Sequence, residues 1–252
     1  MKFTNRNYID LIKTIKDSGY YITDYTNFGQ KPKELIIRHD VDFSLEKALE
    51  MAIIEKEANV SSTYFILISS PFYNVNEKKS NQILRALLNM GHHIGLHFDQ
   101  TVYEVDNIQT IHDKAKYEAK LLSLVLNYKV SAISFHRPSK FLLDSDIDFG
   151  DNIINTYSKK FFKDISYISD SRMNWKINPI DTINEGNKNR IQLLVHPIWY
   201  NENELSTTEV LSSFLKSSIE NIYFYIDSNF TNLSEFLPKE RVVNSDDKMQ
   251  FN

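Results

Sequence analysis

The segment Leu35-Ile-Ile-Arg-His-Asp-Val-Asp42 runs from a purely apolar stretch into a dense polar cluster, and few folds can hold such a segment. Leu35, Ile36 and Ile37 lack any polar alternation, the pattern of a strand covered on both faces, as strands are in a parallel sheet. Asp40 and Asp42 are two positions apart, so on an extended chain they point the same way with Cα atoms roughly 6.6 Å apart. Two carboxylates in one pocket repel unless something joins them. A metal ion, an arginine or a shared catalytic proton is the companion such a pair needs. The plainer alternative has Asp42 capping the next helix while Asp40 bonds loop amides.

The rest of the chain repeats the same device. Tyr8, Leu11, Ile12 and Ile15 have helical spacing closed by Gly19, and a polar turn then leads into the first strand. After Asp42, Ser44 is placed to cap a helix striped by Leu45, Ala48, Leu49 and Ala52. Strands are expected at Ser62–Ile68, His93–His97, Val130–Phe135, Ile165–Ser169 and Ile191–Val195, with helices at Ile83–Leu88 and from Ile108 to about Asn127. Leu143–Asp151 reads as a polar insertion and residues 172–190 as an irregular loop. Ser206-Thr-Thr-Glu209 is a capping box that opens a helix with Val210, Leu211, Phe214 and Leu215 turned inward. Six strands alternating with helices predict an α/β fold, open or closed, with its active site at the C-terminal ends of the strands.

Composition narrows the function. The 252 residues, 42% of them hydrophobic, suffice for one core, so a single domain over 1–252 is expected, with 1–33 as an N-terminal helical extension and 239–252 as a flexible tail. A net charge of −4 supplies no basic field for nucleic acid. There is no cysteine, so histidine and carboxylate are the strong metal ligands left. The N-terminus has no apolar leader and no later stretch reaches eighteen apolar residues, which predicts a cytoplasmic protein without a membrane span.

Of seven histidines, His39, His92, His93, His97, His136 and His196 fall at or beside expected strands, and only His112 falls on a helix. Imidazoles gathered on one rim point to a metal or acid–base site. His93 and His97 have the spacing that serves one ion on a helix, but Gly91, Gly95 and the alternation of Ile94 and Leu96 make this segment a strand. Residues four apart on a strand lie roughly 13 Å from each other, so only one can be a ligand. His97, at the strand end, is the choice. Arg137 is placed to hold Asp40 or Asp170 in ionised form, Asp170 ends the fifth strand, and Pro197 fixes the chain after His196. Trp175, Trp199 and Tyr200 would form aromatic walls suited to sugar rings.

Five motifs stand in order: RHDVD (Arg38–Asp42), GHHIGLHFD (Gly91–Asp99), FHRP (Phe135–Pro138), ISDS (Ile168–Ser171) and LLVHP (Leu193–Pro197). With them the chain, from Tyr8 to about Trp199, resembles the polysaccharide deacetylases, the NodB-type carbohydrate esterases of family 4. The branch it resembles opens its first motif with His-Asp-Val-Asp. The resemblance implies a distorted (β/α) barrel of seven strands and metal-assisted removal of an N-acyl group from a sugar. It puts the general base on Asp40, the metal aspartate on Asp42, the first metal histidine on His97 and the general acid on His196. Arg137 and Asp170 would orient substrate. Two positions depart from the pattern. The second metal histidine falls on Thr101, and the arginine of the Arg-x-Pro motif falls on His136, with Arg137 displaced by one. His136 is the favoured replacement ligand, Asp99 the second choice, and loss of the metal the third.

The expected cofactor is therefore a divalent ion, zinc foremost, held by Asp42, His97 and His136. The expected substrate is a saccharide or small molecule, such as a nucleotide-linked or lipid-linked sugar precursor. Hydrolysis of a non-sugar amide, and a non-catalytic sugar-binding relative suggested by Thr101, are the alternatives.

Overall fold

A computed structural model of the chain describes residues 1–103 and 107–243. The elements are α1 (Asn5–Asp17), β1 (Tyr21–Thr23), β2 (Glu34–Val41), α2 (Leu45–Glu57), β3 (Thr63–Ile66), α3 (Lys78–Asn89), β4 (His93–Phe98), α4 (Ile108–Leu126) and β5 (Ala132–Phe135). They continue with α5 (Lys140–Asp144), β6 (Ile154–Asn155), β7 (Ser166–Ser169), α6 (Pro179–Glu185), β8 (Arg190–Val195), α7 (Thr207–Asp227), α8 (Leu233–Phe236) and α9 (Lys239–Val243).

Seven parallel strands in the order β6-β5-β4-β3-β2-β8-β7 curl into a half-barrel, the distorted α/β barrel expected from the sequence. β2 lies between β8 and β3 and is buried along its whole length, which is why its apolar run shows no alternation. Among the described residues no pairing joins β6 to β7. The Gln192 side chain reaches across from β8 instead and donates to the carbonyls of Phe161 at 2.9 Å and Thr156 at 3.4 Å. Gly95 lies beneath the Phe65 ring, where an added Cβ would stand 2.3 Å from Cε1. Glycine at this point of β4 lets β3 and β4 keep that ring between them.

The structure differs from the sequence reading at the margins. β1 precedes the expected first strand and pairs with the start of β2, and β6 follows the polar insertion. The segment read as loop over 172–190 contains α6, which Asn178 caps and Gly186 ends with φ +65°. Ser44 caps α2 through Lys47 N at 3.2 Å, so Asp42 is free of that role. The expected tail after Pro238 begins with α9, and its residues 244–252 lie outside those described. The chain divides into two compact units, Met1–Glu204 and Leu205–Asn252. In the second, the capping box of Ser206 and Glu209 opens α7. Val210 is buried there, but Leu215 is exposed rather than inward. Among the described residues no helix is long and apolar enough to cross a membrane.

Behind β2, on the face away from the barrel interior, one carboxylate ties three elements together. Glu55 of α2 accepts from Tyr8 of α1 at 2.6 Å, Ser62 at 2.6 Å, Tyr64 of β3 at 2.8 Å and lies 2.8 Å from His39 Nε2. All are buried. Burial by itself would raise the Glu55 pKa, but the His39 imidazole and these hydrogen bonds outweigh it and bring it to about 2. Replacing Glu55 by leucine strands four buried polar groups, so Glu55→Leu is expected to cost about 3–5 kcal/mol in denaturant titrations. Because the folded pKa lies below the unfolded one, this contribution is complete above about pH 4.5 and is lost as the pH falls towards 2. A cost that stays constant across that window would show that Glu55 is held neutral.

Candidate metal centre and acid–base pair

The period of two along β2 that sends His39 outward to Glu55 sends Arg38, Asp40 and Asp42 into the barrel. Arg38 is completely buried. Its Nη2 donates to Asp40 Oδ2 at 2.7 Å and to Tyr157 Oη at 3.2 Å, and its Nη1 to Thr156 Oγ1 at 3.0 Å. The guanidinium also lies 4.8 Å from the Tyr157 ring centroid. Burial opposes charge on Asp40, yet the Arg38 guanidinium holds its carboxyl below the usual range. Asp40 Oδ1 is buried and has no hydrogen-bond partner among the described residues. One oxygen of this carboxylate is therefore anchored and the other is uncommitted.

The arginine that sequence reasoning placed on Asp40 or Asp170 was Arg137, and the structure corrects this. Arg137 follows His136 with φ +45°, its side chain is 70% exposed, and its Nη2 donates to Asp99 Oδ2 at 3.3 Å. Asp99 also accepts from Thr101 N at 2.9 Å and Thr101 Oγ1 at 2.7 Å. Asp99 is thus committed to the rim and Thr101 to Asp99. The anchor of Asp40 was legible in principle, since the alternation that aligns Asp40 with Asp42 also aligns Arg38.

Asp42, His97 and His136 converge as the donor set chosen from sequence, and they form a cluster able to hold a metal ion. Asp42 Oδ1 lies 3.1 Å from His97 Nε2 and 3.3 Å from His136 Nδ1, and the two imidazole nitrogens are 3.2 Å apart. Donors bonded at about 2.0–2.2 Å to one tetrahedral ion stand about 3.3–3.5 Å from each other, so this triangle fits such an ion. Asp42 Oδ1 is buried and makes no aligned hydrogen bond. Burial works against its charge, but His136 and His97 keep the carboxyl far below the usual range. His97 Nδ1 lies 2.6 Å from Ser134 Oγ, a contact that turns Nε2 towards Asp42. His136 N bonds Phe98 O at 2.8 Å, which extends the β4–β5 pairing by one residue and delivers the imidazole to the rim. His93, at the start of β4, stands apart from this cluster, with Nδ1 3.3 Å from Tyr128 Oη. His92 faces the Glu55 network at 3.6 Å and His112 pairs with exposed Asp113.

Across from the triangle, His196 follows β8 with Nε2 3.8 Å from Asp42 Oδ2. Asp170, at the end of β7, accepts from His196 N at 3.0 Å and lies 2.6 Å from its Nδ1. Burial lowers the imidazole pKa, but the Asp170 carboxylate more than reverses this and pushes it up to about 9. Burial raises the Asp170 carboxyl, against the pull of His196. Asp170 has no exposed surface and its side chain lies against His196, a placement that suits holding that ring more than the substrate-orienting role expected of it. Of the aromatic residues, Trp175 lies parallel to Phe3 at 6.2 Å and Tyr200 packs edge-on against Phe3 and Tyr8. Trp199 flanks Phe43 at 6.2 Å.

No family model matches the chain, and no curated protein does. Solved structures do. The deacetylase PplD of Streptococcus pyogenes, solved with acetate, is 12% identical over 83% of this chain and 86% of its own, with a TM-score of 0.44. A polysaccharide deacetylase of Bacillus cereus is 18% identical over 73% and 86%, with a TM-score of 0.43. A CE4-family pseudoenzyme of Bacillus anthracis is 16% identical over 76% of this chain, with a TM-score of 0.43, and this chain spans 63% of its length. Likeness at this level leaves the chemistry to be argued from the side chains.

Proposed function

We propose that the protein is a metal-dependent hydrolase that removes an N-acyl group, foremost an acetyl group, from a sugar or sugar precursor. The observation that carries this reading is the near-equilateral triangle of Asp42, His97 and His136, flanked by an anchored carboxylate and a carboxylate-paired histidine. Two imidazoles and one carboxylate without a thiolate suit zinc. A divalent ion held there would polarise the acyl carbonyl and acidify water.

The residues of the chain divide the proton work. Asp40 Oδ1, with no partner of its own, takes the proton from the attacking water while Oδ2 stays on Arg38. The water oxygen bonds the acyl carbon and the C–N bond breaks. His196 donates from Nε2 to the departing nitrogen while its Nδ1 stays on Asp170. Arg137, held by Asp99 at the rim, orients the substrate at the mouth.

The test is release of acetate from N-acetylglucosamine derivatives by zinc-loaded protein, its loss on chelation and its return with zinc. In the same assay Asp40→Asn is expected to keep its zinc and lower turnover at least about a hundredfold. Loss of zinc from that variant would make Asp40 a ligand instead of the base.

A further inference from the structure

The residues ahead of α1 run beside the acid–base pair. Thr4 forms a parallel bridge with Asn201, Asn5 N donates to Asn201 O at 2.8 Å, and Lys2 pairs with Glu204 in solvent. These contacts hold the half-buried Phe3 against two loops. Its ring lies alongside Trp175, with centroids 6.2 Å apart and planes 2° from parallel, and meets Tyr200 edge-on at 5.7 Å. Trp175 follows Asp170 in the loop after β7, and Tyr200 follows His196 in the loop after β8. One ring therefore touches the loop of each member of the pair.

Both loops need such a support. Between Asp170 and Trp175 the chain passes through Arg172 and Met173, which are in the left-handed region with φ of +59° and +55°. Adjacent residues other than glycine are strained there and keep that shape only where packing imposes it. The turn brings Trp175 back onto Phe3. Beyond His196, Pro197–Trp199 form one turn of 3₁₀ helix, which delivers Tyr200 to Phe3 on one side and to Tyr8 at 5.4 Å on the other. Tyr8 is fixed in turn by its bond to Glu55 at 2.6 Å. The paired residues of β7 and β8 end at Ser169 and Leu194, so the 2.6 Å contact between Asp170 and His196 Nδ1 depends on the spacing of the loops that follow.

We propose that Phe3 is a positioning residue for the acid–base pair: wedged against Trp175 and Tyr200, it sets the spacing of the loops after β7 and β8 and so keeps Asp170 on Nδ1 of His196. The inference rests on the hydrolase reading for the role of His196 as acid, whereas the contact it maintains can be observed without turnover. Removing the ring leaves a gap that the loops close by shifting. A misplacement of about 1 Å at a catalytic group costs about a hundredfold in rate.

The experiment reads that contact directly. The Nδ1 proton of His196, held by Asp170, gives a downfield magnetic resonance in protein carrying isotope-labelled histidine, assigned by its loss in His196→Gln. Phe3→Ala is expected to remove this resonance, and Phe3→Tyr, which keeps the ring, to retain it. Ile15→Ala controls for stability alone, since Ile15 is buried about three turns further along α1, and this variant should retain the resonance. In hydrolysis, Phe3→Ala is expected to lower kcat on an N-acetyl sugar about tenfold to a hundredfold, to leave KM and zinc content unchanged, and to slow 4-nitrophenyl acetate far less. A resonance unchanged in Phe3→Ala, absent from the parent protein, or lost equally in Ile15→Ala overturns the proposal. Normal kcat on the sugar with the resonance lost also overturns it. Loss of the resonance from Phe3→Ala in a protein that hydrolyses no amide would sink the reaction while leaving the clamp on Asp170 and His196 standing.

Discussion

Asp42→Ala is expected to leave the purified protein without stoichiometric zinc and without measurable amide hydrolysis. The reason is the donor count. With no cysteine in the chain, the triangle offers one anionic donor and two neutral ones, and Asp42 Oδ1 touches both imidazoles at 3.1 and 3.3 Å. Removing it takes away both a ligand and the charge that offsets the ion's own. His136→Ala should also lose most of its zinc, whereas His93→Ala should keep it, because His93 sits at the opposite end of β4 from the cluster. Ser134→Ala leaves the ligands in place but frees the His97 ring, and an affinity loss of about 10–100-fold is expected. Metal analysis after gel filtration checks all four variants. Full occupancy in Asp42→Ala, or equal losses in the two histidine variants, would place the ion elsewhere.

What could be read from the sequence follows the strength of the local signal. β2, β4 and β8 were plain because each combines a buried apolar run with a polar end that has few other uses. β1 and β6 are three and two residues long, too short to carry a period, and they exist because a neighbouring strand already offers them an edge. α6 did have a signal, Asn178-Pro179 at its start and Gly186 at its end. That signal was outweighed by the polar composition between. Leu215 belongs to the apolar stripe of α7 by spacing, but spacing does not say whether a stripe is covered, and this residue is not.

The site was legible where geometry depends on strand period and illegible where it depends on crossing the barrel. Asp40, Asp42 and His97 follow from alternation along β2 and β4. The place of His136 beside His97 follows from its position directly after β5, next to β4 in the sheet. Thr156 and Tyr157 steady Arg38 from the far side of the barrel, 118 and 119 residues away in sequence, and no local pattern announces them. The same distance explains the misplaced arginine. Arg137 looked free to reach Asp40, but Asp99 lies on the adjacent strand end and is nearer, whereas Arg38 shares a strand with Asp40 and needs no tertiary luck to meet it. An arginine supplied from within β2 also leaves the rim position at 136 available for an imidazole, and the structure uses it so.

His196→Ala is expected to keep zinc and bind the sugar substrate while losing about three to four orders of magnitude in turnover on an N-acetyl sugar. Expulsion of an unprotonated amine anion is prohibitive, so the leaving nitrogen must receive a proton as the C–N bond breaks. In the proposed reaction His196 is placed to provide one. Asp170 holds its Nδ1 at 2.6 Å and its backbone N at 3.0 Å, which leaves Nε2 facing the triangle 3.8 Å from Asp42. Asp170→Asn should reproduce part of the defect without touching any ligand, because it removes the carboxylate that orients the ring. The decisive comparison uses an aryl ester such as 4-nitrophenyl acetate, whose phenolate departs without protonation. His196→Ala should slow that substrate far less than the N-acetyl sugar. Equal slowing of both would mean that His196 is not the acid, and loss of zinc would make it a ligand.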